Sequence, residues 1–146
     1  MHKIAVIGGD GTGPEVVREG LKVLTAISDR FSIDFDFQQM NIDGTRYLKT
    51  GELLTPNDMI ALKECDAIYL GAIGHPDIQP GVLERGILLK LRFDFDQYIN
   101  YRPVKLYPNV ESPIKVATPE NTDYVVIREN TGGLYTGVGG IENQRE

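Results

Sequence analysis

Arginines spaced around a pair of leucines supply the clearest chemistry in this 146-residue sequence. A helix is predicted within residues 83–103, and one stripe of it has i, i+3, i+4 and i+7 spacing. That stripe consists of Arg85, Leu88, Leu89 and Arg92. Arg102 and Arg128 each follow a β-like run. Because guanidinium groups pair bidentately with carboxylates, such a surface would suit a ligand with a carboxylate and a branched alkyl group.

The same stretch, taken alone, favours a structural explanation. Leucines on a helix usually face the core, and an arginine beside them can lay its alkyl stem over apolar surface. Leu83, Ile87 and Leu91 recur at steps of four, which is typical of a helix packed against a core. The choice between ligand binding and packing therefore depends on the rest of the chain.

Composition narrows the class of protein. Hydrophobic residues make up 41% of the chain, which is enough for a core. A net charge of -6, without any run of lysine or arginine, argues against a nucleic-acid partner. The one cysteine, Cys65, forms no internal disulfide and suits a reducing compartment. With no long apolar run and no leader-like N-terminus, we expect a cytoplasmic protein without a membrane partner.

Two predicted strands are each followed by a glycine-bearing loop. Residues 3–7 are typical of a buried parallel strand, and a helix begins at Pro14 after the loop 8–13. Residues 66–70 form a second buried-type strand, followed by the loop 71–76. Turns at the carboxyl ends of parallel strands are where open α/β sheets bind ligands, so both loops are candidate ligand contacts.

The common phosphate-binding fingerprints do not fit the first loop. A G-x-G-x-x-G pattern beginning at Gly9 would need glycine where Pro14 stands. A P-loop would need Lys-Ser or Lys-Thr after Gly13, which is followed instead by Pro14 and Glu15. A ligand at this loop would therefore be held by a different pattern.

The remaining segments are predicted by alternation, caps and prolines. Strands are predicted at 31–38, near a sheet edge, and at 123–128. Helices are predicted at 43–49 and from Thr55, as the N-cap, to about residue 64. Residues 104–119, which follow Pro103 and contain three further prolines, are predicted to form an irregular connection.

Five ordered motifs resemble the β-decarboxylating dehydrogenases, the family of isocitrate, 3-isopropylmalate, homoisocitrate and tartrate dehydrogenases. They are residues 9–16, 71–74, 86–92, 100–103 and 126–135. The segment 81–86 is most similar to the isopropylmalate branch of that family. The resemblance covers the whole chain but only the first part of the family's longer chain.

The resemblance implies an incomplete α/β fold with a parallel or mixed sheet flanked by helices. Residues 1–97 would be the N-terminal part of the dinucleotide-binding domain, and residues 98–146 the truncated start of the substrate and dimerisation domain. The activity implied is NAD-dependent oxidative decarboxylation of 3-isopropylmalate in leucine biosynthesis. A homodimer is expected for the complete protein, with Mg²⁺ or Mn²⁺ bound by residues outside this chain. The chain alone is therefore expected to be inactive.

The resemblance also assigns roles to residues of the substrate site. Arg92, Arg102 and Arg128 would hold the two carboxylates and the hydroxyl end of a malate unit. Tyr135 would donate a proton after decarboxylation. In chemical terms, loss of the β-carboxylate leaves an enolate, which cations and a divalent metal stabilise and a phenol can protonate.

The cofactor site implied by the resemblance lies at the two glycine loops. Gly11, Thr12 and Gly74 would border the dinucleotide, and Glu84 would contact it near the nicotinamide. Counting back from Arg92, however, places Arg85 where many members of the family carry a glutamate near the nicotinamide. Counting from Glu84 instead requires one extra helical residue, which turns the helix face by about 100°.

Substrate specificity rests on the leucine pair. Leu88 and Leu89 would line the pocket for the substituent at C3, and they favour an alkyl group. Tartrate, homoisocitrate and isocitrate remain open as alternative substrates within the family. A non-catalytic fragment that binds a dicarboxylate or pairs with a relative remains open as a different class of function.

Overall fold

The structure is a computed structural model that describes residues 1–133, 136 and 139. It divides into two compact units, Met1–Lys90 and Leu91–Glu146. The first unit is a parallel sheet with helices, and the second contains an antiparallel pair of strands. The predicted α/β class with a helix-flanked parallel sheet is therefore confirmed.

The sheet of the first unit has three parallel strands. They are β1 (His2–Gly9), β2 (Phe35–Gln39) and β3 (Ala67–Ala72), in the order β2-β1-β3. The central position of β1 explains its uninterrupted apolar sequence, because a strand covered on both faces has no polar side to present. The strands predicted from the two apolar runs are confirmed.

Three helices of the first unit begin and end where local sequence signals place them. These are α1 (Gly13–Phe31), α2 (Gly44–Thr50) and α3 (Pro56–Lys63). Asp43 caps α2, and Gly51 ends it in the left-handed conformation. Within the residues described, no helix combines the length and apolarity needed to cross a membrane.

The core of the first unit lies on both sides of β1. Ile4 and Val6 pack with Val17 of α1 on one face. Ala5 and Ile7 point to the opposite face and are also fully buried. Burial on both faces fixes β1, and so fixes the position of the loop that follows it.

The predicted strand at 31–38 is wrong over its first four residues. Phe31 is the last residue of α1, and Ser32 ends the helix with φ 54°. Ser28 holds the turn, because its hydroxyl donates to the carbonyl of Ile33 at 2.6 Å. The end of α1 therefore takes up the start of the alternating segment, and the strand begins only at Phe35. As expected, β2 lies at the edge of the sheet.

The helix predicted around residue 83 contains a π-helix, Glu84–Leu89, followed directly by α4 (Lys90–Asp94). The predicted core stripe is confirmed, since Leu83, Ile87 and Leu91 are 2%, 0% and 4% exposed. A π-helix forms i→i+5 bonds and takes up one residue more than an α-helical turn. The i to i+7 spacing that grouped Arg85 with Arg92 assumes an unbroken α-helix and therefore does not apply to this segment. The count from Glu84, which requires one extra helical residue, agrees with the π-helix.

The second unit is built on an antiparallel ribbon of β4 (Ile99–Lys105) and β5 (Asp123–Glu129). The strand predicted at 123–128 is confirmed. The irregular connection was predicted from Val104, but β4 continues past Pro103 to Lys105, and Pro103 pairs with Val125. A proline is tolerated there because β4 has one partner strand in the described ribbon, so a missing N–H on its other edge costs no ladder bond.

A partly buried ion pair joins α2 to α3. Arg46 Nη2 lies 2.6 Å from Asp58 Oδ2, and the side chains are 19% and 17% exposed. Asp58 also forms a reciprocal capping box with Thr55 at the start of α3. Burial alone would raise the pKa of Asp58, but the hydrogen bonds from Arg46 and Thr55 outweigh it and hold that pKa below its usual range.

Replacing Asp58 by alanine should lower the free energy of unfolding by about 2 kcal/mol, because it removes one half of the capping box and leaves Arg46 without its closest carboxylate. Glu19→Ala is the control, since the exposed Glu19–Lys22 pair should contribute under about 0.5 kcal/mol. Urea unfolding followed by circular dichroism measures both variants. Equal losses in the two variants would contradict the role given to Asp58.

Candidate functional site

Two of the predicted substrate arginines share one face of the β4–β5 ribbon. The strand register pairs Asn100 with Arg128 and Arg102 with Val126. Paired residues of antiparallel strands point to the same side, and residues two apart on one strand do so too. Arg102 and Arg128 are therefore diagonal neighbours, at a separation of about 7–8 Å between Cα atoms.

The third arginine, Arg92, lies on α4 in the same unit and lines an open cavity of about 510 Å³. Asn100, from the arginine-bearing face, lines this cavity, and so does Asn130 just beyond the end of β5. The other lining residues come from the turn and strand after α4: Asp96, Gln97, Tyr98, Ile99 and Tyr101. The cavity thus brings Arg92 together with a residue that is paired to Arg128.

Partly buried hydrogen bonds connect the elements around this cavity. Asn130 is 5% exposed, and its Nδ2 donates to the carbonyl of Gln97 at 3.2 Å. Its Oδ1 accepts from Asn100 Nδ2 at 3.4 Å. The N–H of Gln97 in turn donates to the carbonyl of Arg92 at 2.8 Å. These bonds join the C-terminal end of α4 to both strands of the ribbon.

The turn after β5 is organised by Glu129. Its carboxylate accepts the N–H groups of Thr131 and Gly132 at 2.7–2.9 Å, together with the Thr131 hydroxyl at 2.9 Å. These hydrogen bonds, led by the one from the Thr131 N–H, hold the pKa of Glu129 below its usual range. The segment leads towards Tyr135, which lies outside the described residues.

The two glycine loops of the first unit are held together by Asp10. Its buried carboxylate accepts the N–H of Gly44 at 2.9 and 3.0 Å and that of Gly74 at 3.1 Å. Its own N–H donates to the carbonyl of Ala72 at 2.6 Å. Gly9 has φ +72°, and a Cβ there would overlap the Ala72 carbonyl, so only glycine permits this approach. The loop after β1 is thus joined to the loop after β3.

The predicted cofactor residues lie around these loops. Gly11 has φ +56° with open space where a Cβ would stand, and Thr12 is the N-cap of α1. Gly74 and Glu84 line one cavity of about 230 Å³. Glu84 Oε2 also accepts the N–H of Gly81 at 2.9 Å. The structure therefore brings Gly74 and Glu84 together at one cavity, while Gly11 and Thr12 lie at the start of α1.

The predicted specificity residues are the leucine pair. Leu88 and Leu89 are half-buried at the end of the π-helix in the first unit. Within residues 1–133, 136 and 139, no group of three or more His, Cys, Asp or Glu side chains could hold a metal ion. The described part of the chain therefore offers no metal site to which a step could be assigned.

Sequence reasoning missed the positioning roles of Asp10, Glu129 and Asn130. All three belong to motifs that were recognised, but their partners lie in distant segments or in the following turn. A signal did exist, since each is a polar residue within three positions of the end of a predicted strand, where loops often carry function. What the sequence did not indicate is which backbone groups these side chains contact.

Comparison with known proteins gives a consistent family relationship. The family model described as isocitrate/isopropylmalate dehydrogenase matches residues 3–146. The 3-isopropylmalate dehydrogenase of Corynebacterium glutamicum strain R is 55% identical over 139 residues, which are 94% of this chain and 39% of that protein. The enzyme of the same name from Thermobifida fusca is 50% identical and also covered to 39%. The chain thus spans about two fifths of the length of the curated relatives it matches.

Solved structures show the same architecture. The isocitrate dehydrogenase of Methylococcus capsulatus superposes with a TM-score of 0.75 at 25% identity, covering 94% of this chain and 37% of that one. The apo β-decarboxylating dehydrogenase of Thermococcus kodakarensis has a TM-score of 0.71 at 30% identity, covering 99% and 39%. The expected resemblance in fold, and its restriction to the first part of the longer chain, are therefore confirmed.

Acidification should loosen the turn after β5 only at a pH below the ordinary pKa of a glutamate, about 4.3. The folded-state pKa of Glu129 is depressed, so its stabilising bonds are fully present above the unfolded pKa and are lost as the pH falls through the folded one. In an NMR titration, the amide shifts of Thr131 and Gly132 should move together with a midpoint below that value. Glu129→Gln should abolish this joint transition; a midpoint at or above 4.3 in the wild type would contradict the assignment.

Proposed function

Because the chain belongs to the isocitrate/isopropylmalate dehydrogenase family, we propose that it is the N-terminal portion of an NAD-dependent 3-isopropylmalate dehydrogenase. The complete protein would oxidise 3-isopropylmalate and release CO₂ to give 4-methyl-2-oxopentanoate, a reaction of leucine biosynthesis. Residues 1–97 would belong to its dinucleotide-binding domain and residues 98–146 to the start of its substrate and dimerisation domain. The complete protein would be a homodimer.

The observation that carries the proposal is the placement of three arginines in the second unit. Arg102 and Arg128 share a ribbon face, and Arg92 lines a cavity together with Asn100 from that face. A malate unit presents two carboxylates and a hydroxyl, which match several guanidinium forks better than single-point cations. An alkylmalate dianion is therefore a suitable ligand for this face.

The residues of the first unit fit a dinucleotide. The N-terminus of α1 presents a positive dipole end, which favours a phosphate. Gly11 and Gly74 leave open space where side chains would stand. When bound, NAD supplies the hydride acceptor, and Mg²⁺ or Mn²⁺ supplies positive charge beside the developing enolate.

The chain's own residues would bind and orient the substrate. The arginines would neutralise both carboxylates and hold the C2 hydroxyl end in one orientation. As the hydride passes from C2 to NAD, the hydroxyl would give its proton to a basic side chain from the rest of the complete protein and become the ketone; the C3–carboxylate bond would then break, and CO₂ would depart. The electron pair left behind forms an enolate, and the Tyr135 phenol would return a proton to carbon. Leu88 and Leu89 would contact the isopropyl group.

Turnover of the complete protein tests the proposal. With NAD and Mg²⁺, NADH formation from 3-isopropylmalate should exceed that from isocitrate, homoisocitrate or tartrate by at least about tenfold in kcat/KM, because a leucine-lined pocket discriminates by about 1–3 kcal/mol per methylene. The 146-residue chain alone should form no NADH. Preference for a polar substrate, or turnover by the chain alone, would contradict the proposal.

Arg128→Lys should lower kcat/KM of the complete protein for 3-isopropylmalate by about 100-fold, because lysine keeps the charge but loses the bidentate fork. Lys105→Ala is the matched control, since Lys105 is a cation of the same ribbon that pairs with Asp123 at 2.8 Å. The control should retain kcat/KM within about twofold. Steady-state kinetics in which Arg128→Lys behaves like the control would remove Arg128 from the substrate site.

A further inference from the structure

We propose that Asn130 is a positioning residue of the dicarboxylate site, whose two side-chain hydrogen bonds fix Arg92 relative to the ribbon face that carries Arg102 and Arg128. The inference deepens the proposed function and rests on it. It concerns a residue that touches neither carboxylate and acts through the main chain around the cavity.

The burial of Asn130 is the first argument. The side chain is 5% exposed, and a buried primary amide costs free energy unless its donor and acceptor both find partners. Both are used, by the carbonyl of Gln97 and by the amide of Asn100. An apolar side chain would fill this space without that requirement, so the amide contributes something besides volume.

The connectivity of these bonds is the second argument. The carbonyl of Arg92 accepts from the N–H of Gln97, and the carbonyl of Gln97 accepts from Asn130 Nδ2. Asn130 Oδ1 in turn accepts from Asn100 Nδ2. Asn100 is the residue paired with Arg128 across the ribbon. Three consecutive hydrogen bonds therefore connect the backbone of one predicted substrate arginine to the strand partner of another.

The neutrality of the amide is the third argument. Cations held near one another repel, and their geometry must be fixed before the dianion arrives if binding is not to be weakened by reorganisation. A carboxylate at position 130 could accept from Asn100, but it would repel the Gln97 carbonyl and place a competing anion in the cavity that Arg92 lines. Asparagine supplies one donor and one acceptor without a charge.

A structural role and a positioning role predict different results. If Asn130 only stabilises the turn, its loss lowers the thermal midpoint and leaves the KM for substrate unchanged. If it positions Arg92 against the ribbon, KM rises while kcat stays nearly constant when hydride transfer limits turnover, because both carboxylates are still intact in that transition state and the arginines bind them as in the ground state. The division between KM and kcat therefore separates the two roles.

The test uses the complete protein with three variants. Asn130→Ala, which loses both hydrogen bonds, should raise the KM for 3-isopropylmalate about tenfold, with kcat changed less than about threefold. Asn130→Asp keeps the shape, so it guards against a folding failure, and it should raise KM further by repelling the dianion, an excess that shrinks at high salt. Asn121→Ala is the matched control, because Asn121 also bonds through both ends of its amide, to Val116 and Thr118, away from the arginines.

Binding of the malonate dianion, measured by calorimetry, keeps this test separate from the proposed function. If the wild type oxidises no alkylmalate but binds malonate, the proposed function fails, and a tenfold weaker affinity in Asn130→Ala still supports the positioning role. Unchanged KM and malonate affinity in both Asn130 variants, or equal changes in Asn121→Ala, would overturn it. A wild type that binds no dicarboxylate would overturn both.

Discussion

The register of the β4–β5 ribbon is the constraint on which the candidate substrate site depends. Pairing Asn100 with Arg128 places Arg102 and Arg128 on the same face. Because side chains alternate along a strand, a slip of one residue would send the two guanidinium groups to opposite faces. The buried Asn130 amide and the Glu129 carboxylate both act at the end of this ribbon, where they hold the adjoining turns in place. Register and end contacts together would preorganise a dianion site before any ligand binds.

The first unit uses the same principle with different chemistry. There a single buried carboxylate, Asp10, accepts main-chain N–H groups from the start of α2 and from the loop after β3, which are far apart in sequence. Glycines are required where the loops meet, as at Gly9, because a side chain would displace the Ala72 carbonyl. In each unit a buried polar side chain, Asp10 or Asn130, holds the turns beside the residues that would touch a ligand. Such buried contacts would hold the side chains of each site in place before a ligand binds.

Much of this fold follows from local signals. The apolar runs of β1 and β3, the capping box at Thr55 and the left-handed Gly51 are each decided by neighbouring residues, and each was predictable. Residues 31–34 were misassigned because the packing of α1 extends the helix into an alternating segment. Val104 and Lys105 were misassigned because a proline such as Pro103 does not end a strand when its missing N–H lies on the unpaired edge. The π-helix at Glu84–Leu89 was indicated in the sequence only by the one-residue disagreement between the count from Arg92 and the count from Glu84. The arginines could be identified by motif, whereas the contacts of Asn130 span about 30 residues and carry no local pattern.

The central claim is that Arg92, Arg102 and Arg128 meet one small dianion. A crystal structure of the complete protein with bound 3-isopropylmalate tests it most directly. The account predicts a guanidinium nitrogen of each arginine within about 3 Å of an oxygen of the substrate. A structure in which any of the three points into solvent, away from the bound substrate, would contradict it.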